Sequence, residues 1–208
     1  MIIINHRVNT IQDLKLIPPN HGIEIDVRYH KDKIILNHDA FNHHISKDTK
    51  LSELLEKCEF NGPIILNLKS VGIEEKCIKI MNEFKLSNWF FLDMSLPLLV
   101  KYSDKAYENK SNLFSKDNLA VRFSDKEPIE SVLLFKDKVR WVWVDYFSDF
   151  PLTLKNLLLL KNANFKICLV SPEIQQNSIY TPDQVKEKCS GFEIEAVCTK
   201  EPSIWIKN

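Results

Sequence analysis

Short apolar, β-rich runs alternate along this chain with stretches of helical periodicity, and that alternation limits its possible folds more than any other feature. The runs are MIIINHR (1–7), GIEIDVR (22–28), PIILNLK (63–69), WFFLDMS (89–95), LAVRFS (119–124), VRWVWVDYF (139–147), FKICLVS (165–171) and IEAVCTK (194–200). Between them LSELLEKC, VGIEEKCIKIMNEF, LPLLVKYSDKAYE, EPIESVLLF, LTLKNLLLLKNA and TPDQVKEKC mostly space apolar residues three and four apart. TPDQ adds a helix start, with Thr181 as cap, Pro182 in the first turn and Gln184 completing a capping box. Strands separated by helices pair in parallel, and eight such units predict a closed (β/α)8 barrel. No linker or low-complexity segment interrupts the pattern, so residues 1–208 are expected to form a single domain.

KIILNHD (33–39) is a ninth strand of a different kind. It follows the second run after only about four residues, too short for a parallel crossover and right for a β-hairpin. Folding back about Asp32 is expected to bring His38 roughly opposite Asp26.

Composition excludes several roles. Lys plus Arg equals Asp plus Glu at 28 each, so no overall field attracts nucleic acid or an anionic membrane. The five cysteines form no CxxC pair and are odd in number, which suits a reducing cytoplasm. MIIINHRVN reads as neither signal peptide nor anchor, and no run reaches the roughly 18 apolar residues of a membrane span. All six histidines lie within the first 44 residues.

Within GIEIDVR, Glu24 and Asp26 share one strand face while Ile23, Ile25 and Val27 share the other. The other strands also end in polar groups: His6 and Arg7, Asn67 and Lys69, Asp93, Arg122, Asp145, Ser171, Thr199 and Lys200. In a (β/α)8 barrel these ends make one face, where active sites are built.

With those residues in place, the chain resembles the glycerophosphodiester phosphodiesterase family, phospholipase C-like phosphodiesterases on TIM barrels. The matching elements are HRVNT (His6, Arg7, Asn9, Thr10), the E-x-D pair Glu24 and Asp26, the HD pair His38 and Asp39, NLK (Asn67, Lys69) and TKEP (Thr199, Lys200, Pro202). The resemblance implies hydrolysis of a small phosphodiester, a glycerophosphodiester or a related polyol or sugar phosphodiester. It makes His6 and His38 the acid–base pair and implies a cyclic phosphate intermediate. Glu24, Asp26 and Asn67 would hold a divalent cation, and hard oxygen ligands suit Mg²⁺ or Ca²⁺. Arg7 and Lys69 would bind the phosphate, with Asp93, Arg122 and Lys200 as further substrate contacts.

The departures from the family pattern are specific. Asn67 stands where the family has a third acid, Val8 replaces the glycine of HRG, and Lys200 replaces the acid of TD. Asp93 is a candidate to restore the missing carboxylate. Two alternatives follow: a phosphate-binding barrel with weakened catalysis, or a zinc-dependent hydrolase using His38, His43 and His44. Trp141 and Trp143 share a strand face and are expected in the core or against helices, or as a wall above Asp145. LTLKNLLLLKNA is expected as a buried or oligomer-facing helix. Oligomeric state is open.

Overall fold

The computed structural model describes residues 1–40, 48–59, 61–175 and 179–206. Eight parallel strands run in the order β5-β4-β2-β1-β9-β8-β7-β6, and β3 pairs antiparallel with β2. They are β1 (Ile2–Asn5), β2 (Gly22–His30), β3 (Lys33–Leu36), β4 (Ile64–Leu68), β5 (Trp89–Leu92), β6 (Ala120–Phe123), β7 (Trp141–Val144), β8 (Lys166–Val170) and β9 (Ala196–Thr199). A parallel bridge between Phe91 and Leu119 draws the two edges together, so the sheet is a nearly closed (β/α)8 barrel.

The period-2 patterning separates two apolar layers. Ile23, Ile25 and Val27 of β2 and Leu66 and Leu68 of β4 face outward to the helices. Inside the barrel, Phe90 stacks on Trp141 at 4.7 Å between ring centroids, beside Trp143. Ala120, Cys168, Ala196 and Cys198 supply the small residues that let these rings fit a closed interior. Trp141 and Trp143 therefore fill the barrel rather than line a wall above Asp145.

The helices are α1 (Ile11–Leu14), α2 (Leu51–Leu55), α3 (Glu74–Glu83), α4 (Leu96–Tyr107), α5 (Ile129–Leu133), α6 (Leu154–Asn162), α7 (Pro182–Lys188) and α8 (Pro202–Trp205). α4 buries Leu99, Tyr102, Ser103 and Ala106, one stripe at helical spacing. Thr181 and Gln184 form the capping box of α7. In α6, Leu157 and Leu160 are buried, whereas Leu154 and Leu158, one turn apart, are exposed. No described helix is long and apolar enough to cross a membrane, and all five cysteines are free.

The hairpin turns at Lys31 and Asp32, whose φ angles of 44° and 63° match a two-residue type I′ turn. The resulting register differs from the expected one. Asn37 donates its backbone N–H to Asp26 O at 2.9 Å, so Asn37, not His38, stands opposite Asp26. β2 runs to His30 before it turns, two residues beyond the stretch read as strand, and that length sets the pairing.

Candidate active site

β1 leads straight into His6 and Arg7, and the backbone there is left-handed, with Arg7 at φ 58°. That conformation costs a non-glycine residue roughly 1–2 kcal/mol. It delivers the Arg7 N–H to Glu24 Oε2 at 2.8 Å. Arg7 takes the left-handed position, while Val8 is 3% exposed and packs in the outer core.

Glu24 and Asp26 are fully buried, pointing into the barrel beneath its C-terminal mouth. Buried carboxylates need compensation. Glu24 receives Asn67 Nδ2 at 2.8 Å on Oε1 and the Arg7 N–H on Oε2. Asp26 receives Asn9 Nδ2 at 2.8 Å on Oδ2 and has Lys69 Nζ 3.6 Å from Oδ1 and Arg7 Nε 3.9 Å from Oδ2. Burial, and then the neighbouring Asp26 charge, push the Glu24 carboxyl up to about 7.

His6 Nε2 lies 3.7 Å from Glu24 Oε2. Burial lowers its pKa to about 3, helped by the charges of Arg7, Lys200, Lys69 and His38. The imidazole is therefore neutral near pH 7, and this is a polar contact rather than an ion pair.

Among the described residues, three buried side-chain polar atoms have no hydrogen-bond partner: His6 Nδ1, Asp26 Oδ1 and Asn67 Oδ1. Asp26 and Asn67 are register partners across β2 and β4, so their side chains leave the strands side by side. Two neighbouring residues that each keep a buried oxygen accepting no hydrogen bond, next to a second carboxylate, fit a hard divalent cation. Among the described residues no group of three His, Cys, Asp or Glu gathers in this way. Any such ion would thus depend on the Asn67 amide.

Asp93 does not join the acid pair. It is left-handed at φ 59° and bridges two cations, Lys69 at 3.7 Å and Arg122 at 3.6 Å. Arg122 also binds Glu127 at 3.0 Å, so it reaches the acids only through Asp93 and Lys69. Lys200 is exposed on the rim, where its N–H donates to Glu173 Oε1 at 3.0 Å. Glu173 also accepts from Thr199 Oγ1 at 2.5 Å and from the Ser171 hydroxyl.

His38 sits on the hairpin return, with Nδ1 2.8 Å from Asp39 Oδ1. A bond at Nδ1 orients the ring and leaves Nε2 for chemistry. His43 and His44 lie outside the described residues.

Two residues of this mouth carry no role in the sequence reading. Arg28 shares the strand face of Glu24 and Asp26, and its guanidinium binds the carbonyls of Asn37, His38 and Lys69 at 2.6–3.2 Å. It ties the His38 segment to the end of β4. Asn9 binds Asp26 twice. Alternation along β2 marks Arg28 as facing the mouth, but nothing local shows which carbonyls it meets.

Buried acids, His6 and cationic side chains thus gather at the C-terminal mouth of a (β/α)8 barrel. Two solved structures share the fold. A glycerophosphodiester phosphodiesterase from Agrobacterium tumefaciens matches with TM-score 0.67 and 13% identity, over 99% of each chain. A glycerophosphoryl diester phosphodiesterase from Parabacteroides distasonis matches with TM-score 0.63 and 12% identity, over 98% of this chain and 84% of the other. At these identities the likeness is one of fold. No family model and no curated protein matches the sequence.

Proposed function

We propose that this chain is a metal-assisted phosphodiesterase that hydrolyses a small glycerophosphodiester or a related polyol or sugar phosphodiester. The observation that carries this reading is the convergence of His6, Glu24, Asp26 and Lys69 around two unpartnered buried oxygens. The fold shared with two phosphodiesterases supports it.

Glu24, Asp26 and Asn67 would hold the cation. Mg²⁺ or Ca²⁺ bound there would neutralise charge on the phosphoryl oxygens as it grows. Arg7 and Lys69, cationic and facing Asp26, hold the phosphodiester against that charge. His6, neutral in the free protein, takes the proton of the attacking hydroxyl. His38, oriented by Asp39, gives a proton to the leaving alkoxide. Asp93 keeps Lys69 and Arg122 apart and aimed at the mouth, and Lys200 adds a cation on the rim.

One observation favours a second reading. Both Glu24 oxygens already accept N–H groups, and an amide replaces the third acid, which describes a phosphate-binding barrel that no longer turns over. A panel of glycerophosphodiesters and bis(p-nitrophenyl) phosphate, assayed with Mg²⁺, Ca²⁺, Zn²⁺ or chelator, separates the readings. Turnover that needs Mg²⁺ or Ca²⁺ is expected. Phosphate binding without turnover under every condition favours the second reading, and turnover with Zn²⁺ alone overturns both.

A further inference from the structure

Asn9 lies between two fixed points. Val8 before it is buried, and its N–H donates to Glu24 O at 2.9 Å. Thr10 after it caps α1, accepting the Asp13 N–H at 3.1 Å. The Asn9 side chain takes no part in that cap. Its Oδ1 accepts the Asp26 backbone N–H at 2.8 Å, and its Nδ2 donates to Asp26 Oδ2 at 2.8 Å. A backbone N–H can only donate, so the atom facing it is the amide oxygen. Both ends of the amide are therefore assigned without ambiguity.

The clamp acts on a single carboxylate. Rotation of Asp26 about its last side-chain bond exchanges its two oxygens, and a donor held on Oδ2 by the same residue's backbone stops that exchange. The oxygen left over is Oδ1, buried, without a hydrogen bond and 3.6 Å from Lys69 Nζ. It belongs to the register partner of Asn67, whose own Oδ1 is also free. An apolar residue of similar volume would fill the space that Asn9 occupies but would hold neither end of Asp26. The double hydrogen bond therefore serves orientation rather than packing.

We propose that Asn9 is a positioning residue that locks Asp26 so that its Oδ1 and the Asn67 Oδ1 form a paired seat for a hard divalent cation. The inference rests on the metal-assisted reading above and adds to it a residue that touches neither ion nor substrate. Such outer partners of ligating carboxylates typically contribute 10- to 100-fold in metal affinity.

Calorimetric titration with Ca²⁺ and Mn²⁺ alone, no substrate present, tests it. The proteins are wild type, Asn9→Leu, Asn9→Ala, the double variant Glu24→Gln/Asp26→Asn as a blank, and Asp125→Asn. The last loosens a loop at the β6 end and calibrates what lost stability does by itself. Both Asn9 variants are expected to bind at least about tenfold more weakly than wild type, while Asp125→Asn binds as wild type does. Should Asn9→Leu fail to fold, Asn9→Gln, which keeps the amide on a longer stem, is expected to fall between wild type and Asn9→Ala. Asn9 variants that bind like wild type, or that weaken only as much as Asp125→Asn, overturn the clamp and leave the metal reading standing. Wild type as blind to both ions as the double variant overturns the metal reading, and the clamp with it.

Discussion

Asp26 and Asn67 stand opposite each other in the parallel register of β2 and β4, and each carries a buried side-chain oxygen that accepts no hydrogen bond. A carboxylate in place of the amide would add a charge at that seat. Asn67→Glu should therefore tighten Ca²⁺ or Mn²⁺ binding by on the order of tenfold, the Coulomb gain being partly offset by burying a third acid. Titration of the two proteins side by side measures it. Equal affinities would show that position 67 does not face the ion.

His6→Ala and His38→Ala should each lower phosphodiester turnover by roughly 100-fold or more while the thermal midpoint stays near that of wild type. Undiminished turnover in either variant would remove that histidine from the proposed chemistry.

Arg28→Lys should weaken both stability and the placement of His38. The guanidinium makes four hydrogen bonds to three carbonyls, and a lysine ammonium cannot reproduce that planar fork. A loss of about 2–3 kcal/mol is expected in denaturant unfolding, the order of one or two charge-assisted hydrogen bonds. A midpoint unchanged from wild type would mean that the hairpin return is held by other contacts.

The raised Glu24 carboxyl makes stability depend on pH in a particular direction. Its folded pKa of about 7 lies above the ordinary carboxylate value, so its contribution is complete below about 4.5 and is lost as pH rises through about 7. Glu24→Gln removes that titration. In the presence of a chelator, the melting temperature of the variant relative to wild type should climb between pH 4.5 and 7 and then level off. A flat difference would place Glu24 in a more solvated setting than the one described.

Asp125 has the opposite sign. Burial opposes its ionisation, but the Phe147 N–H, Lys126 and the Ser148 N–H and hydroxyl outweigh that and hold the carboxyl well below its usual range. Its contribution is present above about pH 4 and disappears as pH falls further. Asp125→Asn should cost about 1–2 kcal/mol at pH 7, and the gap to wild type should close toward pH 2 in pH-resolved melting curves.

The barrel and the acid pair were legible in the sequence for the same reason: both follow from period-2 alternation, a local property. Glu24 and Asp26 among Ile23, Ile25 and Val27 could only face one way. What escaped depends on contacts between distant residues. The two hydrogen bonds between Asn9 and Asp26 span 17 positions, and the single one from Arg28 to Lys69 spans 41. The one-residue error at His38 came from a hairpin whose turn, Lys31–Asp32, lacks the Asn-Gly or Asp-Gly signal that marks a type I′ turn. α1 and α8, four residues each, are too short to show periodicity and were not expected. Asp93 looked like a spare ligand by type, yet its position just past the end of β5 sets it between two cations.

The strand that carries His6 is flanked by β2 on one side and by β9 on the other, and the His6 N–H itself donates to Thr199 O at 3.0 Å. During synthesis, then, His6 emerges long before Thr199, to which its backbone docks. Most of the barrel wall can pair progressively as it leaves the ribosome, but the seam beside the first histidine is among the last contacts to close. Assembly of the mouth thus waits on β9, so a chain stalled short of β9 would hold Glu24 and Asp26 in a half-open sheet with no fixed His6 above them.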